Sequence, residues 1–185
     1  MELKTASRAD VDGVLKLQFK YHTDSINKND RKDGFVTTSF TKEQLTELIE
    51  REKGLFIAVK DEEIVAYLMA ASWEYWSVWP MFKFMIKGLP MLNYSGTELS
   101  VKNSYQYGPV CLDKTVRGSG LLEALFDFSR EVMSKKYPIL VTFVNKNNPR
   151  SVEAHMRKLG LTVIHEFEFN NNSYLELACN TAKKI

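Results

Sequence analysis

The feature that most constrains this fold is a glycine-rich turn between a strand and a helix. An apolar strand, "YQYGPVCL", leads through "VRGSG" to an amphipathic helix, "LLEALFDFSREVM". Glycine is costly inside a helix, but at the start of one it lets backbone N–H groups approach a partner. The helix dipole favours negative charge there, and an arginine guanidinium matches a phosphate. The turn therefore predicts an anion site made by Arg117, Gly118, Ser119 and Gly120.

Two widespread phosphate-binding loops do not fit this turn. A P-loop needs Lys followed by Ser or Thr after its second glycine, whereas Leu121 and Leu122 stand here. The dinucleotide fingerprint needs a third glycine where Glu123 stands, and no clear acidic residue ends the next strand. An ordinary helix start with a flexible turn is the plainer alternative.

The first half of the chain predicts helices alternating with strands. The first helix carries an apolar stripe that includes Phe19, and a polar loop is predicted from Thr23 to Ser39. The next helix has a capping box of Thr41 and Gln44 and is predicted to end at Gly54. "LFIAV" and "IVAYLMAASW" then read as two strands joined by a turn.

The second half continues the alternation of helices and strands. A helix is predicted from about Gly118 to Lys135, and "PILVTFV" is typical of a strand buried on both faces. The helix that follows is capped by Asn148, starts with Pro149 and ends at Gly160. Two alternating runs separated by residues 170–172 predict a hairpin. Together these patterns predict an α/β or α+β sheet with helices on its faces.

Composition narrows the class of protein. A length of 185 residues suits one domain, and we expect a single domain over residues 1–185. Lys and Arg total 25 against 23 Asp and Glu, so no nucleic-acid partner is expected. Cys111 and Cys179 lie in apolar runs, which predicts reduced thiols and a cytoplasmic protein. The sequence shows no signal-peptide core and no run of about 18 apolar residues, so we expect no membrane partner. We also predict no metal site.

The turn and its surroundings resemble the GNAT superfamily of N-acetyltransferases. That family's acetyl-CoA pyrophosphate loop reads Arg or Gln, two residues, Gly, one residue, then Gly or Ala, which here corresponds to residues 117–122. A buried strand and an Asn-capped helix ending in "KLGL" follow, as in the family. Leu122 departs from the usual small residue, and Leu161 stands where the family has Phe. The resemblance covers most of the chain except residues 73–96.

The resemblance implies a fold, a reaction and a set of binding residues. The fold is a mixed, mostly antiparallel sheet of about six to seven strands with helices on both faces, splayed between the fourth and fifth strands. The reaction moves an acetyl group from acetyl-CoA, a co-substrate, to a primary amine of a small molecule or peptide by direct attack in a ternary complex. The diphosphate would bind residues 117–122, and the pantetheine arm would pair with the strand edge Val110–Leu112. Gly108 and Pro109 suit a bulge that opens the sheet just before this edge.

The Asn-capped helix holds further candidates. Asn148, Ser151 and His155 share one face of it. The family uses an Asn or Ser here to contact the cofactor, and often a Tyr further along to protonate the leaving thiolate. Met156 occupies the place of that Tyr, so His155 either donates a hydrogen bond or proton to the sulfur or merely packs. The implied cofactor-binding residues are Val110, Cys111, Leu112, Arg117, Gly118, Ser119, Gly120, Leu121, Leu122, Asn148 and Ser151.

The general base is not assigned by the sequence. The fourth strand contains no Asp or Glu, so Glu98 upstream and Glu74 in the aromatic segment are candidates. Tyr105 and Tyr107 could orient a water and contact the acceptor. Cys111 could carry a covalent acyl group, although a buried small side chain on a strand is the simpler interpretation. The candidate catalytic residues are His155 and Glu98.

Residues 73–96 hold all three tryptophans of the chain and form an insertion relative to the family. We expect such a large aromatic surface to be shielded from water. Three interpretations are open: a wall of the acceptor site containing Trp76 and Trp79, a homodimer surface, or a local extension of the core. A helix is predicted within this segment from Val78 to Lys87.

Two functions of other classes stay open at this point. One is an acyl-CoA-binding or regulatory module that has the GNAT fold and no catalysis. The other is an unrelated α/β interaction domain that uses the tryptophan segment as a protein contact.

Overall fold

The computed structural model describes residues 1–26 and 36–185. These residues pack into two compact units. The first unit contains Met1–Ala70 and Gly108–Ser129, and the second contains Ala71–Tyr107 and Arg130–Ile185. In the two described ranges no helix is long and apolar enough to cross a bilayer. Much of the predicted polar loop lies outside the described residues.

The described strands form a seven-stranded sheet and a separate two-stranded hairpin. The strands are β1 (Glu2–Thr5), β2 (Leu55–Lys60), β3 (Glu63–Ala71), β4 (Asn93–Tyr94), β5 (Thr97–Glu98), β6 (Ser104–Leu112), β7 (Ile139–Asn145), β8 (Thr162–Phe169) and β9 (Asn172–Asn180). The order in the large sheet is β1-β2-β3-β6-β7-β9-β8. The β6–β7 pair is parallel, whereas β1–β2, β2–β3, β7–β9 and β8–β9 are antiparallel. The predicted mixed, mostly antiparallel sheet is confirmed.

Six α-helices of the described residues connect these strands. They are α1 (Val11–Tyr21), α2 (Lys42–Glu47), α3 (Trp73–Trp76), α4 (Pro80–Gly88), α5 (Leu121–Ser134) and α6 (Pro149–Glu153). Two of them continue into π-helical turns, α2 into Leu48–Glu52 and α6 into Ala154–Lys158.

In the first unit, α1 buries one face, but not the whole stripe that the sequence predicts. Val14 and Leu17 are buried, whereas Phe19 is 73% exposed. Gln18 is buried in its place because it makes two backbone hydrogen bonds. Its Nε2 donates to the carbonyl of Phe40 at 3.1 Å, and its Oε1 accepts the Phe40 N–H at 3.0 Å. The inclusion of Phe19 in the apolar face was wrong.

The capping box that begins α2 is present as predicted. The Thr41 N–H donates to Gln44 Oε1 at 2.9 Å, and the Gln44 N–H donates to Thr41 Oγ1 at 3.2 Å. Lys53, with φ of 57°, takes the left-handed position after the helix. Gly54 is needed for a different reason, because a Cβ there would lie 1.7 Å from the carbonyl oxygen of Ala70.

In the second unit, β9 lies between β7 and β8. The parallel ladder between β6 and β7 pairs Ser104–Gln106 with Ile139–Val141. In the family numbering, β6 and β7 are the fourth and fifth strands. Their ladder is short, which agrees with the predicted splay between them. On its other side, β7 pairs with β9 along its whole length, from Ile139 to Asn145.

The aromatic segment packs onto one face of this second sheet region. Trp73, Met85 and Leu89 are buried against strand residues that include Val141 and Ala178. The helix α4 begins at Pro80, two residues later than predicted, because Trp79 has extended backbone angles and precedes the helix. For these buried side chains, the interpretation as an extension of the core is the one that the packing supports.

The cap, stop and hairpin signals near α6 were also correct. Asn148 Oδ1 accepts the Ser151 N–H at 3.1 Å. Gly160 has φ of 67° and ends the π-helical turn. Asn170 and Asn171, with φ of 46° and 60°, form the turn between β8 and β9.

Candidate functional site

The glycine-rich turn forms an open loop before α5 in the first unit. Gly118 and Gly120 have φ of 76° and 83°, a region that side chains other than glycine rarely adopt. A Cβ at either position would meet no atom within 4 Å, and Gly118, Ser119 and Gly120 are exposed. The helix begins at Leu121, later than the predicted Gly118, because both glycines are left-handed. The first N–H groups of the helix have no partner within the helix and follow directly after this exposed turn.

The C-terminal end of α1 supports this loop, which sequence reasoning missed. Tyr21 Oη accepts the Lys114 N–H at 2.7 Å. The guanidinium of Arg117 lies over the Tyr21 ring, with its Cζ 4.8 Å from the ring centroid. Arg117 Nε donates to the carbonyl of Leu112 at 3.0 Å. Arg117 thus ties the loop to the end of β6. The Leu112 carbonyl, which belongs to the strand edge predicted to pair with pantetheine, therefore already accepts a hydrogen bond.

Asp113 is the charged centre of this support. Its Oδ1 accepts hydrogen bonds from the N–H and the hydroxyl of Thr115, at 3.0 and 2.8 Å. Its Oδ2 is paired with Lys20 Nζ on α1. Burial alone would raise the pKa of Asp113, but the hydrogen bonds from Lys20 and Thr115 outweigh it and lower the pKa to about 2. The carboxylate is therefore charged throughout the physiological range.

The remaining cofactor candidates of the first unit have structural partners. Cys111 is 5% exposed, and burial is the main cause that raises the pKa of its thiol to about 12. A thiol of this kind is a poor nucleophile at neutral pH. Ser119 Oγ donates to the carbonyl of Val116 at 2.6 Å, which closes the turn. Leu121 is buried and Leu122 is half-buried.

In the second unit, the structure brings Asn148, Ser151 and His155 together, as predicted. His155 is 7% exposed, and its Nδ1 lies 2.8 Å from the carbonyl oxygen of Ser151. A carbonyl only accepts, so Nδ1 carries the proton and Nε2 carries a lone pair. Burial lowers the pKa of His155, although the bond to Ser151 opposes it, so the ring is neutral at pH 7. In this tautomer Nε2 accepts a proton rather than donating one.

The predicted acceptor residues are not brought to one place. Trp76 is fully buried on the side of α3 and α4, and Trp79 beside it is half-buried. Tyr105 and Tyr107 lie on the other face of β6, where the Tyr107 ring meets the His155 ring at 5.7 Å. The acceptor set therefore divides between two faces of the sheet.

The two carboxylates that the sequence offers as bases both lie at the surface. Glu98 is exposed on β5, and its carbonyl accepts a hydrogen bond from Asn103 Nδ2 at 2.8 Å. Glu74 is exposed on α3. Neither side chain is desolvated.

No family model matches the sequence, and no curated protein sequence matches it significantly. The protein smu.2055 from Streptococcus mutans UA159 superposes with a TM-score of 0.66 at 16% identity, over 98% of this chain and 99% of that one. Ribosomal-protein-alanine N-acetyltransferase from Brucella melitensis gives 0.62 at 16%, over 97% and 99% of the chains. The chain has the GNAT acetyltransferase fold.

A third structure of this fold was solved with the ligand that the family resemblance implies. It is the candidate acetyltransferase yncA from Salmonella typhimurium with its cofactor acetyl-CoA, at a TM-score of 0.63 and 11% identity over 97% of this chain and 93% of that one. The turn of the present chain fits a diphosphate on its own geometry. It offers empty space at both glycines, the N–H groups that begin α5, and Arg117 beside them.

Two buried polar residues of the second unit were missed by the sequence analysis. Glu176 on β9 is 2% exposed, and burial raises its pKa to about 7. Gln106 on β6 is 1% exposed. Among the described residues, Oε1 of each side chain accepts no hydrogen bond. The one signal for Glu176 is its place in "YLELAC", where a lone carboxylate interrupts a strand that is apolar on both faces.

Proposed function

We propose that this chain transfers an acetyl group from acetyl-CoA to a primary amine by direct attack in a ternary complex. The observation that carries the proposal is the open, left-handed glycine turn before α5 in a GNAT fold. Neighbours named as N-acetyltransferases, such as the ribosomal-protein-S18-alanine enzyme from Escherichia coli, support nitrogen as the acceptor atom.

The residues of the first unit would hold the co-substrate. The N–H groups of Gly118 to Leu122 bind the diphosphate, because the helix dipole and the empty cradle both favour an anion. Arg117 adds positive charge while it ties the loop to Leu112. The strand edge at Val110 and Cys111 receives the pantetheine arm in the manner of an added strand.

The reaction needs little covalent help from the protein. The thioester supplies an activated acyl carbon, and the amine nitrogen attacks it once a lone pair is free. Positioning of the two reactants lowers the barrier by several kcal/mol. No acyl-cysteine is needed, which agrees with the buried, protonated thiol of Cys111.

Calorimetry with acetyl-CoA tests the cofactor half of this proposal. The variant Arg117→Ala with Gly120→Glu should lose binding by 100-fold or more, since a carboxylate would occupy the diphosphate position. Gly96→Glu is the matched control, because Gly96 also has a left-handed φ, 82°, with nothing within 4 Å of its Cβ. Unchanged affinity in the double variant, or no binding by the wild type at millimolar ligand, overturns the proposal.

Release of free thiol with a panel of primary amines tests the catalytic half. Amine-dependent thiol release supports acetyl transfer. Tight acetyl-CoA binding without any release across the panel would instead support the non-catalytic acyl-CoA-binding module.

A further inference from the structure

One face of the second unit holds two buried oxygen acceptors that lack a hydrogen-bond donor within residues 1–26 and 36–185. They are Oε1 of Glu176 and Oε1 of Gln106. Leaving such an atom unsatisfied costs about 1–3 kcal/mol, more when the group is charged. Two such atoms on one face destabilise the folded state, and a ligand that donates hydrogen bonds to them would remove this destabilisation.

The strand register places both acceptors on the face covered by α3 and α4. Gln106 is paired with Val141, and Val141 is paired with Ala178. Glu176 lies two residues before Ala178, so it points to the same face. Val141 and Ala178 belong to the core cluster that contains Trp73 and Met85.

The side chains around Glu176 are aromatic. Its direct partners across the ladders are Phe143 on β7 and His165 on β8. The Phe143 ring lies 5.7 Å from the Phe82 ring and 5.6 Å from the Tyr174 ring. Phe82, Phe143 and Tyr174 are each only half-buried, so the edge of this cluster reaches solvent.

The chemistry of this face selects a cation. This face repels an anion, because it presents a carboxylate, an amide oxygen and the partially negative faces of aromatic rings. An ammonium group supplies the missing donors and the charge that the rings attract. The apolar rings also favour an acceptor whose amine is carried on an apolar or aromatic body.

We propose that Glu176 binds the ammonium group of the acceptor and takes its proton, with Gln106 as a second hydrogen-bond acceptor on that face and the aromatic cluster as the wall. This inference rests on the proposed acetyl transfer and names the class of its acceptor, a primary amine on an apolar or aromatic body. The carboxylate of Glu176 removes one proton from R–NH3+ to give R–NH2. The nitrogen lone pair forms the C–N bond to the acetyl carbon while the C–S bond breaks, and the second proton lost by nitrogen neutralises the thiolate.

The titration of Glu176 suits this task, because burial holds its pKa at about 7. The charged groups on the elements packed around it are exposed: His165, Glu166 and Glu168 on β8, and Glu74, Lys83 and Lys87 on α3 and α4. On β9 Tyr174 is half-buried, and on α3 Tyr75 is buried. An ammonium bound at Glu176 should lower the pKa of that carboxyl.

Binding of 2-phenylethylamine to the full chain is the direct test. Calorimetry at pH 6 and pH 8 should show at least fivefold tighter binding at pH 8, where Glu176 is ionised and the amine is still protonated. Glu176→Gln keeps the shape of the side chain and should weaken binding at pH 8 by tenfold or more and remove the pH dependence. Glu168→Gln, an exposed carboxylate on β8, is the matched control and should change neither.

Carbon-13 NMR of labelled glutamate side chains gives a second readout. Saturating 2-phenylethylamine should lower the pKa of the Glu176 carboxyl by one unit or more. No amine binding by the wild type, or equal binding by Glu176→Gln, overturns the inference while acetyl-CoA binding leaves the proposed function intact. Loss of acetyl-CoA binding by the wild type would instead remove the proposed function itself.

Discussion

At the scale of single residues, Glu176 is a carboxyl whose environment differs strongly from water. Its carboxyl is buried in an aromatic cluster without a donor among the described residues. Burial raises its pKa from the usual 4.5 to about 7. The folded chain therefore holds this proton more tightly than the unfolded chain does.

This difference predicts that stability falls as pH rises. The protonated Glu176 carboxyl contributes about 3 kcal/mol to the free energy of unfolding. This contribution is fully present below pH 4.5 and is lost as pH rises through about 7. Glu176→Gln should flatten this part of the profile in urea unfolding between pH 5 and pH 8, and Glu168→Gln should not. A wild-type profile that is flat over this range would contradict the burial argument.

His155 should act on turnover through Nε2, which in this tautomer is a hydrogen-bond and proton acceptor. His155→Asn can keep the hydrogen bond to the carbonyl of Ser151, because its amide N–H replaces Nδ1, but it lacks Nε2. We expect kcat to fall about tenfold or more while the acetyl-CoA affinity and the melting temperature stay close to wild type. Unchanged kcat in this variant would mean that the histidine only packs.

Cys111 should be dispensable for chemistry. Its thiol is buried with a pKa of about 12, so hardly any thiolate exists at pH 7. Cys111→Ala should keep kcat within about twofold, measured by thiol release, with a small loss of stability from the lost packing. A fall of 100-fold with intact acetyl-CoA binding would point to an acyl-cysteine instead.

Single residues were also where the sequence was least informative. Glu98, the predicted base, lies just before β6 in sequence and is exposed. Glu176 lies far away in sequence and reaches the interior only through strand pairing with Phe143. Gln18 was missed in the same way, since its burial depends on two bonds to the backbone of Phe40. Burial of a polar group is decided by non-local partners that no short pattern contains.

At the scale of elements, α1 acts as a support for the anion loop. Its last turn supplies Tyr21, which accepts the Lys114 N–H and lies under Arg117, and Lys20, which pairs with Asp113. The contact joins residues that are distant in sequence. The glycine turn alone would be flexible, and this support fixes the direction in which its N–H groups point.

Removing one hydroxyl should loosen this support measurably. Tyr21→Phe keeps the ring under Arg117 but leaves the Lys114 N–H without its acceptor, which costs about 0.5–1.5 kcal/mol. We expect the acetyl-CoA Kd to rise about threefold to tenfold by calorimetry. Tyr94→Phe, a half-buried tyrosine of the second unit, is the control and should leave Kd unchanged. An unchanged Kd in Tyr21→Phe would mean that the contact with α1 does not contribute to acetyl-CoA binding by the loop.

Elements with local signals were predicted well, and their limits have physical causes. The Thr41 and Asn148 caps and the Asn170 turn each depend on residues within a few positions, so the sequence contains all their partners. The start of α5 was misplaced because two glycines adopted left-handed angles instead of helical ones. Gly54 was assigned to a helix stop, yet it is required by the close approach of Ala70, which belongs to another strand.

At the scale of the whole molecule, each of the two units is assembled from separate stretches of chain. The first unit takes up the chain again at Gly108, and the second takes it up again at Arg130. Patterns along the sequence predicted the seven strands of the large sheet but not the short β4 and β5, and the mostly antiparallel arrangement came from the family resemblance. The position of β9 between β7 and β8 depends on pairing with both neighbours, which the sequence of one strand alone does not predict.

The position of β9 between β7 and β8 has a consequence for synthesis. β8 has β9 as its neighbour in the sheet, and β9 follows it along the chain, so a nascent polypeptide lacks this partner until Asn180 has left the ribosome. Until then the edges of β7 and β8 that pair with β9 stay unpaired and open to aggregation or chaperones. Ribosome-stalled chains that expose residues up to 169 should be cut rapidly by protease within the second unit, and chains that expose residues up to 180 should resist.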